Sequence, residues 1–150
     1  MTPARHSRPS LVVDTNVILD VILDRAPWAN EGALVLDATA RGAARGFVAS
    51  HAVTTVHYLV TRALGRGPAN TAVSDLLEVL DVVPLGSSDF HRAQALGLGD
   101  FEDAVQVAAY LKVDATYLVT RNAKDYRGAP IEILSPGEVL GILGRSAKER

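Results

Sequence analysis

Short apolar runs alternate with longer stretches of helical period along the whole chain. Leu11 to Val13, "GFVAS" (46–50), "DVVPL" (81–85), "ATYLVT" (115–120) and "IEIL" (131–134) have the strand character: apolar, rich in β-branched residues, and too short for a helix. Between them, apolar residues recur at helical spacing. This holds from about Val17 to Leu23, and through "WANEGALVLDATARG", "HAVTTVHYLVTRALG", "RGPANTAVSDLLEVL", "SSDFHRAQALG" and "DFEDAVQVAAYLKV". Gly42, Gly65 and Gly97 are placed as helix stops, a serine opens "SSDFHR" as its cap, and Ser135 followed by Pro136 opens a last helix, "SPGEVLGILG". Strands alternating with helices predict an α/β fold: three layers, a mainly parallel central sheet, helices on both faces. The expected organisation is a flexible arm over residues 1–9, one domain over 10–144 and a polar tail over 145–150.

Where that pattern breaks is as informative as where it holds. In "VVDTNVILDVIL" (12–23) an apolar run is interrupted by Asp14, Thr15 and Asn16 and then resumes. Parallel α/β sheets bind their ligands beyond the carboxyl ends of the strands. The polar residues just after each strand are therefore the candidates: Asp14 to Asn16, Ser50 and His51, and Thr120 to Asn122.

Capping of the next helix accounts for one of Asp14, Thr15 and Asn16, and less well for all three. A carboxylate at the edge of a buried sheet needs a partner. In "GDFEDAVQ", Asp100 and Asp103 resemble a capping box, and acids favour a helix N-terminus. At about 100° per residue the two lie roughly 60° apart on one side of the apolar stripe, with Glu102 turned toward solvent. The loop "TRNAKDY" carries Thr120 and Asn122 over the sheet edge, beside the basic residues Arg121, Lys124 and Arg127. His51 and His57, six residues apart, do not form an i, i+4 metal pair.

Composition narrows the chemistry. With no cysteine there is neither a disulfide framework nor a thiolate metal site. Fifteen Lys and Arg against 17 Asp and Glu give a net charge of −2, so a nucleic-acid surface would have to be local. No run approaches the roughly 20 apolar residues of a membrane span, and a cytoplasmic protein is expected. Acids converging on one sheet edge call for a hard cation held by oxygen, Mg²⁺ or Mn²⁺ rather than zinc.

Three segments in this order resemble PIN-domain ribonucleases, the family of the VapC toxins: "VVDTNVILD", "DFEDAVQVAAYLK" and "YLVTRNAKDY". The likeness covers about residues 10 to 140 and implies a metal-dependent endoribonuclease. It further implies the toxin of a type II toxin–antitoxin pair, with RNA as substrate, a cognate antitoxin and a homodimer. Position by position, it assigns Asp14 and Asp103 as metal ligands and catalytic acids. Asn16 would orient Asp14 or touch the scissile phosphate, and Asp100 would add charge. Thr120, Arg121 and Asn122 would meet the substrate, Asn122 standing where many members have a fourth acid. Asp125 belongs to the common ending of the third motif. One departure stands out: where many members carry a glutamate on the helix after the second strand, this chain has His57.

Two other readings compete. A haloacid-dehalogenase-type phosphatase would use a strand-end Asp14, but its chemistry wants a second aspartate at the position of Asn16. A PIN-like module that binds RNA or a partner without cutting would be consistent with His57 in the glutamate position.

Overall fold

The computed structural model describes residues 8–148. One sheet of five parallel strands runs through it in the order β3-β2-β1-β4-β5. The strands are β1 (Ser10–Val13), β2 (Arg45–Ala49), β3 (Asp81–Val83), β4 (Tyr117–Val119) and β5 (Ile133–Leu134). The helices are α1 (Thr15–Ile22), α2 (Ala29–Ala40), α3 (Ser50–Leu64), α4 (Arg66–Val79), α5 (Ser87–Ala95), α6 (Phe101–Val113) and α7 (Pro136–Lys148), with a 3₁₀ turn at Ala123–Tyr126.

The three layers follow from the period of two in each strand. Leu11, Val13, Val48 and Val119 face one core with α1 to α4 and α7. Val12, Phe47, Ala49 and Leu118 face the other, closed by Val107, Ala109 and Tyr110 of α6 and by Tyr126. Burial on both faces explains why the strands read as continuous apolar runs rather than as alternating ones. Gly46 is packed closely here against Leu80 and Thr39, and a Cβ would come within 2.9 Å of Thr39 Cγ2.

Several ends differ from expectation. The arm expected over 1–9 falls outside the described residues as far as residue 7. Arg8 and Pro9 are already packed: Arg8 donates to the Gly42 carbonyl at 3.3 Å and the Pro9 carbonyl accepts from Arg45 N at 2.9 Å. At the other end α7 runs on to Lys148, past the expected boundary, because nothing in "RSAKER" stops a helix. The serine of "SSDFHR" is not the cap of α5. Gly86 takes that position, and its amide donates to Asp89 at 2.9 Å. Ser135 does cap α7, in a reciprocal pair with Glu138 (3.1 and 2.8 Å).

Candidate active site

The register of β1 against β4 builds the centre of the site. Val13 pairs with Val119, so the next residue on each strand, Asp14 and Thr120, also lie side by side. Asp14 N donates to the Val119 carbonyl at 3.0 Å, and Thr120 N donates to Leu134 at 3.0 Å, extending the ladder past the strand ends. Thr120 Oγ1 then donates to Asp14 Oδ2 at 2.7 Å. The Tyr126 hydroxyl donates to the same oxygen at 3.2 Å.

Asp14 is 6% exposed, and every one of its partners is a neutral donor. Burial pushes its carboxyl above the ordinary range; the hydrogen bonds from Thr120 and Tyr126 and the nearby amides of Thr15 and Asn16 pull it back only in part. It stands at the N-cap position of α1 yet makes no aligned capping bond, so simple capping does not explain it.

The second acid arrives on α6. Asp100 caps that helix, accepting from Asp103 N at 3.0 Å, as the capping-box spacing implied. Asp103 is pushed up to about 6, by burial first and then by the charges of Asp100, Asp14 and Asp125. The Tyr126 hydroxyl, whose one proton goes to Asp14, also lies near Asp103. Two carboxylates this close to one phenol leave negative charge that a shared proton or a cation would satisfy. Tyr126 itself is buried, and its ionisation is driven strongly upward by burial and by the two acids, so it acts as a fixed donor.

The other expected residues take varied places. Asn16 is half-buried in the first turn of α1. Thr120, expected at the substrate, is fully buried and positions Asp14 instead. Its Oγ1 also accepts from Asn122 N at 3.1 Å, which fixes the start of the loop. Arg121, expected at RNA, turns to α1 and donates to Asp20 through Nε (2.6 Å) and Nη2 (3.3 Å). Asp125 is exposed in the 3₁₀ turn, near enough for its charge to raise Asp103.

Glu102, expected to turn away, is exposed, but its carboxyl is raised by burial and then by Asp100 and Asp14. The charges of Asp100 and Asp14 still reach Glu102, so a view down the helix axis separates these acids less than their angles suggest. His57 is not at this edge. It lies two turns into α3, and its Nε2 pairs with Asn70 Oδ1 of α4 at 2.8 Å. His51, in the first turn of α3, has both ring nitrogens buried without a hydrogen-bond partner, and burial lowers its pKa.

Two contributors escaped the sequence reading. Tyr126 is the last residue of "TRNAKDY", a lone aromatic after a polar loop, which was the available signal. Gln106, one turn beyond Asp103, is buried and donates to Thr15 Oγ1 at 3.1 Å, tying α6 to the turn after β1.

Among the described residues, no three His, Asp or Glu side chains are gathered closely enough to hold a metal by themselves. The two linked acids still fit a hard divalent cation. Their donors are all oxygen, their charges are uncompensated, and Mg²⁺ is commonly held by one or two carboxylates with water and phosphate completing the shell.

The family model for the PIN domain matches residues 10–124. The chain belongs to the PIN-domain family. Ribonuclease VapC1 of Aquifex aeolicus (strain VF5) is 24% identical over 130 residues, covering 84% of this chain and 90% of the relative. Among solved structures, VapBC2 from Rickettsia felis bound to a promoter DNA fragment superposes with a TM-score of 0.67 at 15% identity, covering 84% of this chain and 98% of that one. A toxin–antitoxin complex from Klebsiella pneumoniae gives 0.64 at 22%, covering 84% and 97%. Mycobacterium tuberculosis VapC20, a sarcin–ricin-loop-cleaving toxin, gives 0.59 at 16%, covering 72% and 86%. At these identities the solved structures support the PIN fold.

Proposed function

We propose that this PIN-domain protein is a divalent-metal-dependent endoribonuclease, acting in the cytoplasm as the toxin of a type II toxin–antitoxin pair. The observation that carries the reading is buried Asp14 at the carboxyl edge of the sheet, held by Thr120 and Tyr126, with Asp103 near enough for its charge to be felt and, among the described residues, no cationic side chain bonded to either. Asp14 and Asp103 are the residues that would hold Mg²⁺ or Mn²⁺. Bound there, the metal would supply Lewis-acid polarisation of a phosphate oxygen and acidify an attacking water.

The chain's own groups supply the rest. Thr120 and Tyr126 both donate to Asp14 Oδ2, which leaves Oδ1 without a side-chain hydrogen bond among the described residues. Asp103, raised by burial and by the neighbouring acids in the metal-free protein, would hold the metal or orient the attacking water. Asn16 and Asn122, both half-buried just after β1 and β4, would meet a phosphate or ribose. Asp100 and Glu102 add negative charge that favours a cation.

The neighbour named as a toxin–antitoxin complex, from Klebsiella pneumoniae, supports a protein partner for this chain. An apolar cleft of about 580 Å³ lies between α1, α2 and the α3–α4 pair, lined by Ile18, Ile22, Leu36, Leu64, Leu76 and Val79 among others. It would seat an apolar antitoxin segment. Leu34 on α2 and Tyr58 and Leu59 on α3 are exposed and would serve a homodimer.

The experiment is direct. Purified protein is incubated with total RNA in Mg²⁺, in Mn²⁺ or in EDTA, and the new ends are mapped. Discrete ends that require metal and vanish in Asp14→Asn are expected. Cleavage that persists in EDTA overturns the metal reading, and no cleavage of any RNA overturns the nuclease.

A further inference from the structure

Beside the acids, on the β4–β5 side, lies a second and differently built recess. It holds about 150 Å³ and is lined by Val17, Asp20, Trp28, Glu31, Arg121 and Ser135, with Pro136 at its edge. Its position follows from the fold. Val17 is three residues past Asp14, Arg121 follows the Thr120 that bonds Asp14, and Ser135 follows β5, so the recess opens at the same edge as the acids.

The floor is rigid. Asp20, 1% exposed, receives both Arg121 contacts and lies 3.2 Å from Arg25 Nε. The Arg121 guanidinium, held from below, stacks on Trp28 with its carbon 4.0 Å from the ring centroid. Trp28 is nonetheless 43% exposed, so one face is braced by the cation and much of the remaining indole is open. Glu31 forms a wall. It packs over Gly137 so closely that a Cβ there would meet Glu31 Oε2 at 2.7 Å.

Three properties define what fits. The space is about half the lower limit of some 300 Å³ for a drug-sized ligand site, which suits one flat ring and not a helix or a whole nucleotide. The lining carries Asp20 and Glu31 against Arg121, with Arg25 reaching Asp20 from outside it, so the recess has no excess positive charge to recruit a phosphate. Its open aromatic surface is a platform of the kind on which nucleobases stack, whatever their identity, because every base has a π-face. Glu31 adds an acceptor for a base's ring or exocyclic N–H.

We propose that the Trp28–Arg121 recess is a nucleobase subsite, receiving an unpaired base of the RNA next to the phosphate cut at Asp14 and Asp103. The proposal rests on the ribonuclease reading for its substrate. Arg121 then serves RNA indirectly, as the positioning residue behind Trp28, rather than by touching phosphate.

The protein contains one tryptophan, so its fluorescence reports this recess alone. Asp103→Asn protein is titrated, with Mg²⁺ present, with a fluorescein-labelled oligoribonucleotide from a mapped cleavage site. Anisotropy follows binding, and an unlabelled strand is used to follow Trp28 emission. Emission should quench in step with binding. Moving an abasic ribonucleotide along the strand should locate one position where quenching is lost. Trp28→Ala should weaken binding about 5- to 150-fold, the range for one stacked base, and should make that abasic position silent. RNA bound and cut normally with Trp28 emission unchanged overturns the subsite and leaves the ribonuclease standing. No RNA bound overturns both. A Trp28→Ala protein that keeps its RNA affinity but loses an antitoxin segment reassigns the surface to protein docking and overturns the proposal.

Discussion

Asp14 and Asp20 lie six residues apart on one turn and helix, and both are almost completely buried, yet they are stabilised in opposite ways. Asp20 is met by two guanidinium groups. Asp14 is met by a threonine and a tyrosine, and its near neighbours in charge are other acids. A buried carboxylate with matching cations is a structural hub. One left with neutral donors and acidic company holds a charge deficit that the protein alone does not fill, and that deficit marks the site. Burial alone would not have distinguished them.

The comparison breaks most visibly at the hub. Arg121→Met leaves Asp20 with Arg25 as its sole cationic partner, whose contact lacks hydrogen-bond alignment. Loss of one partner from a buried ion pair costs about 3–5 kcal/mol, or roughly 6–20 °C in melting temperature for a chain of this size. Thermal denaturation checks this, and the double change Arg121→Met with Asp20→Leu should recover much of the loss. A melting temperature unchanged by Arg121→Met would show that the hub is dispensable.

At the site the same kind of change acts on rate and spares the fold. Asp14→Asn keeps the volume and removes the charge, so RNA cleavage should fall by about 10²–10³-fold or more, the scale for losing one electrostatic contact in a reaction centre. The melting temperature of the metal-free protein should hold or rise. A variant that unfolds instead would place Asp14 with Asp20, as a structural acid.

Smaller and more diagnostic is the pH response of the metal-free protein. The folded pKa of Asp103, about 6, lies above its ordinary value of 3.8, so the folded state binds the proton more tightly. That contribution to stability is complete below about pH 4 and is lost as the pH rises through 6. After solvent screening it amounts to about 1 kcal/mol. Melting curves from pH 4 to 7 should show this decline, Asp103→Asn should flatten it, and added Mg²⁺ should reverse it near pH 7. A decline that survives Asp103→Asn belongs to another group.

His57 is expected to give the smallest effect. His57→Ala removes a side-chain hydrogen bond to Asn70 between α3 and α4, so about 0.5–1.5 kcal/mol of stability should go. Metal affinity and cleavage should not change. An altered metal affinity by calorimetry would bring His57 back to the site.

The element pattern was legible in the sequence because each element satisfies its own local physics. Buried parallel strands are continuous apolar runs, and helices carry their caps and stops with them, as Asp100 and Ser135 do. Asp14 was legible for a related reason: a carboxylate interrupting an apolar run is locally anomalous. That Asp14 and Asp103, 89 positions apart, converge on one edge followed from the parallel topology, and their assignment as a ligand pair came from resemblance to a family.

What the tertiary structure alone decided is which polar groups meet. Strand register put Thr120 against Asp14, and a 3₁₀ turn carried Tyr126 to Asp14 and near Asp103. Arg121 and Asp20, 101 residues apart, found each other across the same edge, turning a residue expected at RNA into the brace of Trp28. His57 went to Asn70 for the same reason. Apolar residues record their burial in spacing along the chain, because burial repeats with the period of the element. A polar residue records only that it needs a partner, and which partner it gets depends on distances that exist only once the chain has folded.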